Sequence, residues 1–117
     1  MSVNKVILVG QVGADTVVRY LENGVCVARL RLATTERGYT ATNGTEVPDR
    51  TEWHSIVLWR GLAEIAEKNV RKGSQIFVEG KLRTSQWQDQ AGVTHPRTEI
   101  VADSMELLGA RRENNAQ

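Results

Sequence analysis

Trp53 and Trp59 stand six residues apart in the run "TEWHSIVLWRG", in a chain with 3 Trp among 117 residues and only 5% aromatics. In a strand, successive side chains point to opposite faces, so positions 53, 55, 57 and 59 share one face and 54, 56 and 58 the other. His54, Ile56 and Leu58 carry two aliphatics and read as the core side. Both indoles then stand on the outward side, roughly 20 Å apart at the strand rise. The outward rows of two further strands are basic: Arg29 and Arg31 in "VCVARLRLATTE", and Lys81 and Arg83 ahead of Trp87 in "SQIFVEGKLRTSQWQ". Cations interleaved with exposed rings suit single-stranded nucleic acid. The cations replace counterions on phosphates, and the rings stack on unpaired bases without regard to sequence. A duplex hides its base faces and would gain little from exposed indoles. Tryptophans on strands are often core residues, and Arg29 and Arg31 could be a solvated edge. The shared outward parity, with basic neighbours, favours the binding reading.

Other chemistry finds no support in the residues. His54 and His95 are far apart. His54 shares parity with aliphatics and reads as a buried or interface histidine. His95 precedes Pro96 in what reads as a turn region. Gly10 and Gly13 lack the third glycine and the strand-to-helix setting of a phosphate loop. Cys26 alternates with core residues, and a single Cys makes neither an internal disulfide nor a zinc cluster. No catalytic residue, metal site or cofactor is expected. The lone Cys fits a reducing, cytoplasmic setting. No run reaches the ~18 apolar residues of a membrane span, and "MSVNKVILVG" reads as a first strand rather than a signal peptide. A formal net charge of +1 decides nothing about partners; the placement of the charges does.

The elements that must position these residues follow from period and turn signals. A first strand is expected to end at Gly10, with a bend at Gly13. "TVVRYL-ENG-VCVARLRLATTE" predicts a hairpin with a type I′ turn at Asn23-Gly24; Cys26, Ala28, Leu30 and Leu32 form its apolar row. Residues 37–50 predict a long protruding hairpin. "GLAEIAEKNVRKG" predicts a helix whose buried face holds Leu62, Ile65, Ala66, Asn69 and Val70, capped by Gly73. In the next strand Gly80 marks a bulge or sharp bend, and Ile76, Val78 and Leu82 form the inner row. "TEIVADSMELL" predicts the last strand. Five strands, with one short helix between the third and fourth and long hairpins, predict an all-β, OB-type five-stranded barrel over residues 1–109. A five-strand sandwich or a mixed α+β sheet would also use these elements. Residues 110–117 are polar and read as a disordered tail.

In order along the chain, "VNKVILVGQVGAD", "VRYLENG", "RLATTE", "TEWHSIVLWRGLAEIAEKNVRKGSQIFVEGKLRTSQWQDQAG" and "TEIVADSMELLG" resemble the bacterial single-stranded-DNA-binding proteins of the replication type. The resemblance runs from about residue 3 to 109. It implies an OB-fold homotetramer that wraps and protects single-stranded DNA in replication, recombination and repair, nucleoid-associated in the cytoplasm. The family's stacking aromatics fall on Trp53, Trp59 (Phe in the best-known members) and Trp87. A fourth, in the hairpin arm, has Tyr39 as its nearest ring here. The histidine beside the first tryptophan, His54, lies at a subunit interface in the family. The first strand is apolar on both parities, so Val3, Val6 and Leu8 are expected to join that interface. Thr16 follows Asp15 where many members have Pro. Many members also continue into a linker and an acidic tip that recruits replication and repair proteins; the last residues here, "RRENNAQ", are polar and basic. A different class stays open, an OB-type protein-interaction module of a primosome assembly, whose rings would dock a protein.

Overall fold

A computed structural model describes residues 1–109; the expected tail, 110–117, lies outside the described residues. The elements in order are β1 (Val6–Val12), β2 (Val17–Tyr20), β3 (Cys26–Glu36), β4 (Tyr39–Thr40), β5 (Glu46–Val47), β6 (Arg50–Trp59), α1 (Gly61–Asn69), β7 (Gln75–Gln88) and β8 (Thr94–Gly109). Six strands form one sheet in the order β1-β7-β8-β6-β3-β2, while β4 and β5 pair separately at the end of an arm. The sheet closes because β1 leaves β7 and pairs with β3 at Gln11↔Ala33 and Val12↔Leu32. The closed ring is therefore β1-β7-β8-β6-β3, with β2 continuing the first strand beyond a bend. Among the described residues the only parallel contact between strands, β6 with β8, joins Ile56↔Ile100 and Val57↔Val101.

The barrel interior collects the inner row of each strand. Cys26, Ala28, Leu30 and Leu32 come from β3, Ile56 and Leu58 from β6, Ile76 and Val78 from β7, and Ile100 and Ala102 from β8. The rows of β3 and β6, and Ile76 and Val78 of β7, are those that the two-residue period predicts. The helix adds Ala63 and Ala66 to the same cluster, and Val70, just past its end, joins them. Its buried face is thus rotated from the expected one. Ile65 is exposed, and Asn69 donates its side-chain amide to the Ile65 carbonyl at 3.2 Å. Two alanines let the helix axis lie close against β3 and β6, which a row of larger aliphatics would prevent.

Several boundaries differ from expectation. β1 runs through Gly10 to Val12. A methyl group at Gly10 would overlap the carbonyl oxygen of Ala33, so this glycine permits the crossing to β3 rather than ending the strand. Gly80 does sit at the expected irregularity: the β7–β8 register shifts between Glu79 and Gly80, and a methyl group there would overlap the Val101 carbonyl. The helix ends at Asn69, with Val70 already extended. Gly73 lies beyond it in a turn, at φ 91°, and donates its N–H to Val12 O at 2.8 Å. The Asn23-Gly24 turn is not type I′, because Gly24 alone has positive φ and its N–H bonds back to Leu21 O at 2.8 Å. It is a type I turn followed by a left-handed glycine, and Ala41–Gly44 and Asp89–Gly92 repeat the arrangement.

On β1 the inner residues Val6 and Leu8 pack against the core, while Ile7 and Val9 point outward and are exposed. The surplus apolar surface therefore lies on Ile7 and Val9, together with Val3, rather than on Val6 and Leu8. Leu82 is on the inner parity of β7 but exposed, since β7 and β8 run past the barrel as a two-stranded ribbon. Asn4 extends the β1 edge along this ribbon: its side-chain amide donates to Leu82 O and accepts from Leu82 N, both at 2.9 Å.

Because backbone atoms block a side chain at Gly10 and Gly80, Gly10→Ala and Gly80→Ala are each expected to destabilise the barrel by about 1–3 kcal/mol. Gly61→Ala, with open space at its Cβ, should be neutral or stabilising by up to about 1 kcal/mol. Urea unfolding of the three variants checks the ordering.

Candidate nucleic-acid interface

The ladders align the candidate residues on one outer surface. Across β3 and β6 the pairs are Val27↔Trp59, Arg29↔Val57, Arg31↔Ser55 and Ala33↔Trp53. β8 continues the surface from Val57↔Val101, and β7 from Lys81↔Val101, Arg83↔Glu99, Ser85↔Arg97 and Trp87↔His95. Trp53, Trp59 and Trp87 are 51%, 39% and 42% exposed, so none of the three is a core residue. Tyr39 is exposed as well, but it sits in the β4–β5 arm, which no ladder joins to this surface.

The bend after β1 sets Trp53. Gly13 donates its N–H to Arg31 O at 2.9 Å, and a side chain at Gly13 would overlap the six-membered ring of Trp53. The Arg31 guanidinium carbon lies 5.6 Å from a Trp53 ring centroid, a cation–π distance. Trp59 ends β6 opposite Val27, which is buried despite its outward parity. Arg60, which follows, is the only described non-glycine residue with positive φ (58°, with ψ −121°) as the chain turns into α1.

Sequence reasoning missed the contribution of β8. Glu99 is 8% exposed, and its Oε2 accepts from Arg29 Nε at 3.0 Å. This bridge spans β6 above Val57, which is 2% exposed. Arg29 is therefore not a free cation; its charge is matched by a buried carboxylate. Arg97, two residues before Glu99, lies with its guanidinium carbon 5.9 Å from a Trp87 ring centroid. Arg29, Arg31, Arg97 and Glu99 border a cleft of about 320 Å³ together with Asp15 and Ser55. Within the described residues Lys81 and Arg83 form no ion pair. Lys5 does pair, with Glu79. The ammonium holds that carboxyl below the usual carboxylate range, and the carboxylate raises the lysine.

His95 is not a loop residue. It lies in β8 opposite Trp87, stacked on the indole with ring centroids 4.7 Å apart. Alternation through "HPRTEIV" could have found His95, Arg97 and Glu99 as an outward row. Reading Pro96 as a turn hid it. His54 faces the inner side, half-buried, with Nε2 at 2.9 Å from Thr34 Oγ1. Among the described residues no three His, Cys, Asp or Glu side chains gather as metal ligands, and no helix is long and apolar enough to cross a membrane.

A closed five-stranded barrel, with a short helix before its fourth strand and indoles and cations on its outer wall, defines an OB-fold protein of the oligonucleotide-binding kind. The chain belongs to the Single-strand binding protein family, whose model matches residues 3–108. It is 53% identical over 114 residues to a single-stranded DNA-binding protein of Bacteroides thetaiotaomicron, covering 97% of this chain and 71% of that one. Its fold is similar to that of a Plasmodium falciparum SSB in complex with ssDNA, with a TM-score of 0.82 and 31% identity, covering 93% of this chain and 97% of that one.

Removing one partner of the Arg29–Glu99 pair should not be symmetrical. Arg29→Ala leaves a buried carboxylate unpaired and is expected to cost roughly 1–3 kcal/mol, moderated by the solvent open to the arginine. Glu99→Gln keeps an acceptor and should cost less. Thermal or urea unfolding of the two variants tests this order.

Proposed function

We propose that this protein binds single-stranded DNA along the outer face of its barrel, stacking unpaired bases on Trp53, Trp59 and Trp87. Arg31, Lys81 and Arg83 neutralise phosphates, with Arg29 contributing through whatever charge Glu99 leaves uncompensated. The observation that carries this reading is the register. Three exposed indoles and four basic side chains share one surface of adjoining strands, separated by ladder spacings rather than by flexible loops. Stacking contributes on the order of 1–3 kcal/mol per base and tolerates any sequence. Counterion release adds a salt-dependent term. Tyr39, on a short two-stranded arm, is a weaker fourth stacking site.

The protein acts by binding alone, with no catalytic step and no cofactor. It coats and protects single strands in replication, recombination and repair, within the cytoplasmic nucleoid. Residues 1–109 form the DNA-binding domain. The assembly is a homotetramer, supported by the outward apolar row of Ile7 and Val9 on β1, with Phe77 opposite Val9 on β7. Val3 and His54 belong to this proposed interface; Val6 and Leu8, turned to the core, support it only from within.

Titration with oligo-dT should quench the intrinsic tryptophan fluorescence, with affinity falling as salt rises and duplex of equal length binding far more weakly. Equal binding to duplex and single strand would overturn the reading. Trp53→Ala and Trp87→Ala should each cost on the order of 1–3 kcal/mol, and Tyr39→Ala under about 1 kcal/mol. Arg83→Ala should weaken binding alike for every base composition and flatten the salt slope.

Light scattering at micromolar concentration should report about four chains. Ile7→Arg should shift the population to smaller species. A parent monomer at that concentration would refute the assembly.

A further inference from the structure

The cluster at the tip of the β7–β8 ribbon goes beyond stacking on Trp87 itself. We propose that His95, held by Asp89, is a positioning residue for Trp87 whose proton tightens the grip on single-stranded DNA as pH falls. This rests on the reading that Trp87 faces the DNA.

The geometry leaves His95 little freedom. It is the direct cross-strand partner of Trp87, and the two rings are inclined by 28° in a stack. The imidazole therefore covers one face of the indole and restrains its rotation. The His95 Nε2 lies 2.8 Å from Asp89 Oδ2. Asp89 is fixed in turn, because its Oδ1 accepts from the backbone N–H groups of Ala91 and Val93, both at 2.9 Å. The imidazole hydrogen bond, seconded by those backbone donors, holds the Asp89 carboxyl below its ordinary range. The carboxylate thus stays ionised, and histidine is the side chain whose charge ordinarily changes near neutral pH.

The charges around the indole then follow. With a neutral His95 the cluster holds one anion, Asp89, and one cation, Arg97, beside Trp87. With a protonated His95 it gains one positive charge at the point where a polyanion passes. Further down the ribbon, Arg83 faces Glu99, which is already paired with Arg29. A guanidinium stays charged throughout, so the arginines add no proton of their own. By linkage, bound DNA must favour proton uptake as much as the proton favours DNA.

The test is competition binding of a dT oligomer between pH 8.0 and 5.5 at fixed salt, for the parent, His95→Gln and His95→Arg. His54 is common to all three, so whatever it contributes cancels in the comparison. Parent affinity should rise about three- to tenfold more than that of His95→Gln over this range, and its salt slope should steepen by about 0.7 at the acid end. His95→Arg should bind tightly at both ends, with no such steepening. Coincident profiles for the parent and His95→Gln, with binding intact, would overturn the role of His95 alone. Absence of oligo-dT binding by the parent at every pH would overturn this inference together with the DNA-binding reading beneath it.

Discussion

Closure of the sheet depends on two places where backbone meets backbone with no side chain between them. At Gly10 the first strand passes against the Ala33 carbonyl and transfers from β7 to β3; at Gly80 the fourth barrel strand passes against the Val101 carbonyl. A five-stranded barrel is narrow, and its strands must coil sharply to meet. Once closed, alternation has a single meaning around the ring. Small and aliphatic inner rows fill the interior, α1 seals one end with Ala63 and Ala66, and the outer rows are free to carry rings and charges.

Those outer charges are not equivalent. Arg29 is tied to Glu99 and Lys5 to Glu79, so two of the cations have an anion beside them. Arg31 and Arg97 lie over indoles, where a guanidinium is also drawn to the ring face. The Arg29–Glu99 bridge has a mechanical consequence as well. It links β3 to β8 across β6, bracing the seam formed by the short parallel ladder of β6 with β8. A carboxylate on a surface that meets polyanions is unfavourable electrostatically. Its value lies in holding that seam and aiming the arginine.

Beyond the barrel, rigidity has another source. The β7–β8 ribbon has no core beneath it: every residue of β7 from Lys81 onward is exposed. Its order comes from cross-strand pairs such as Thr84 with Thr98, at 3.1 Å between hydroxyls, and Trp87 with His95. The β4–β5 arm has only two residues in each strand. Trp87 and Tyr39 are therefore both exposed rings on arms, but the Trp87 ring is held by a long ladder and a stacked partner.

Local periodicity made much of this legible in the sequence. The core row of β3, the outward parity of Trp53, Trp59 and Trp87, the irregularity at Gly80 and the place of the helix all follow from patterns within one element. The resemblance of the long quoted segments pointed to the same fold and the same aromatics. What the sequence could not show depends on residues distant along the chain. Arg29 and Glu99 are 70 positions apart, and only the pairing of β6 with both β3 and β8 puts them on either side of it. Gly10 looks like a strand end until Ala33 is seen against it, and Gly13 looks like a mere bend until the Trp53 ring occupies the space a side chain would need. The burial of Ala63 in place of Ile65, and of Val27 and Val57 on an outward parity, is likewise set by what lies above them. Alternation determines which side of a strand a residue is on. Which neighbour covers that side, and with what charge, is decided only when the sheet closes.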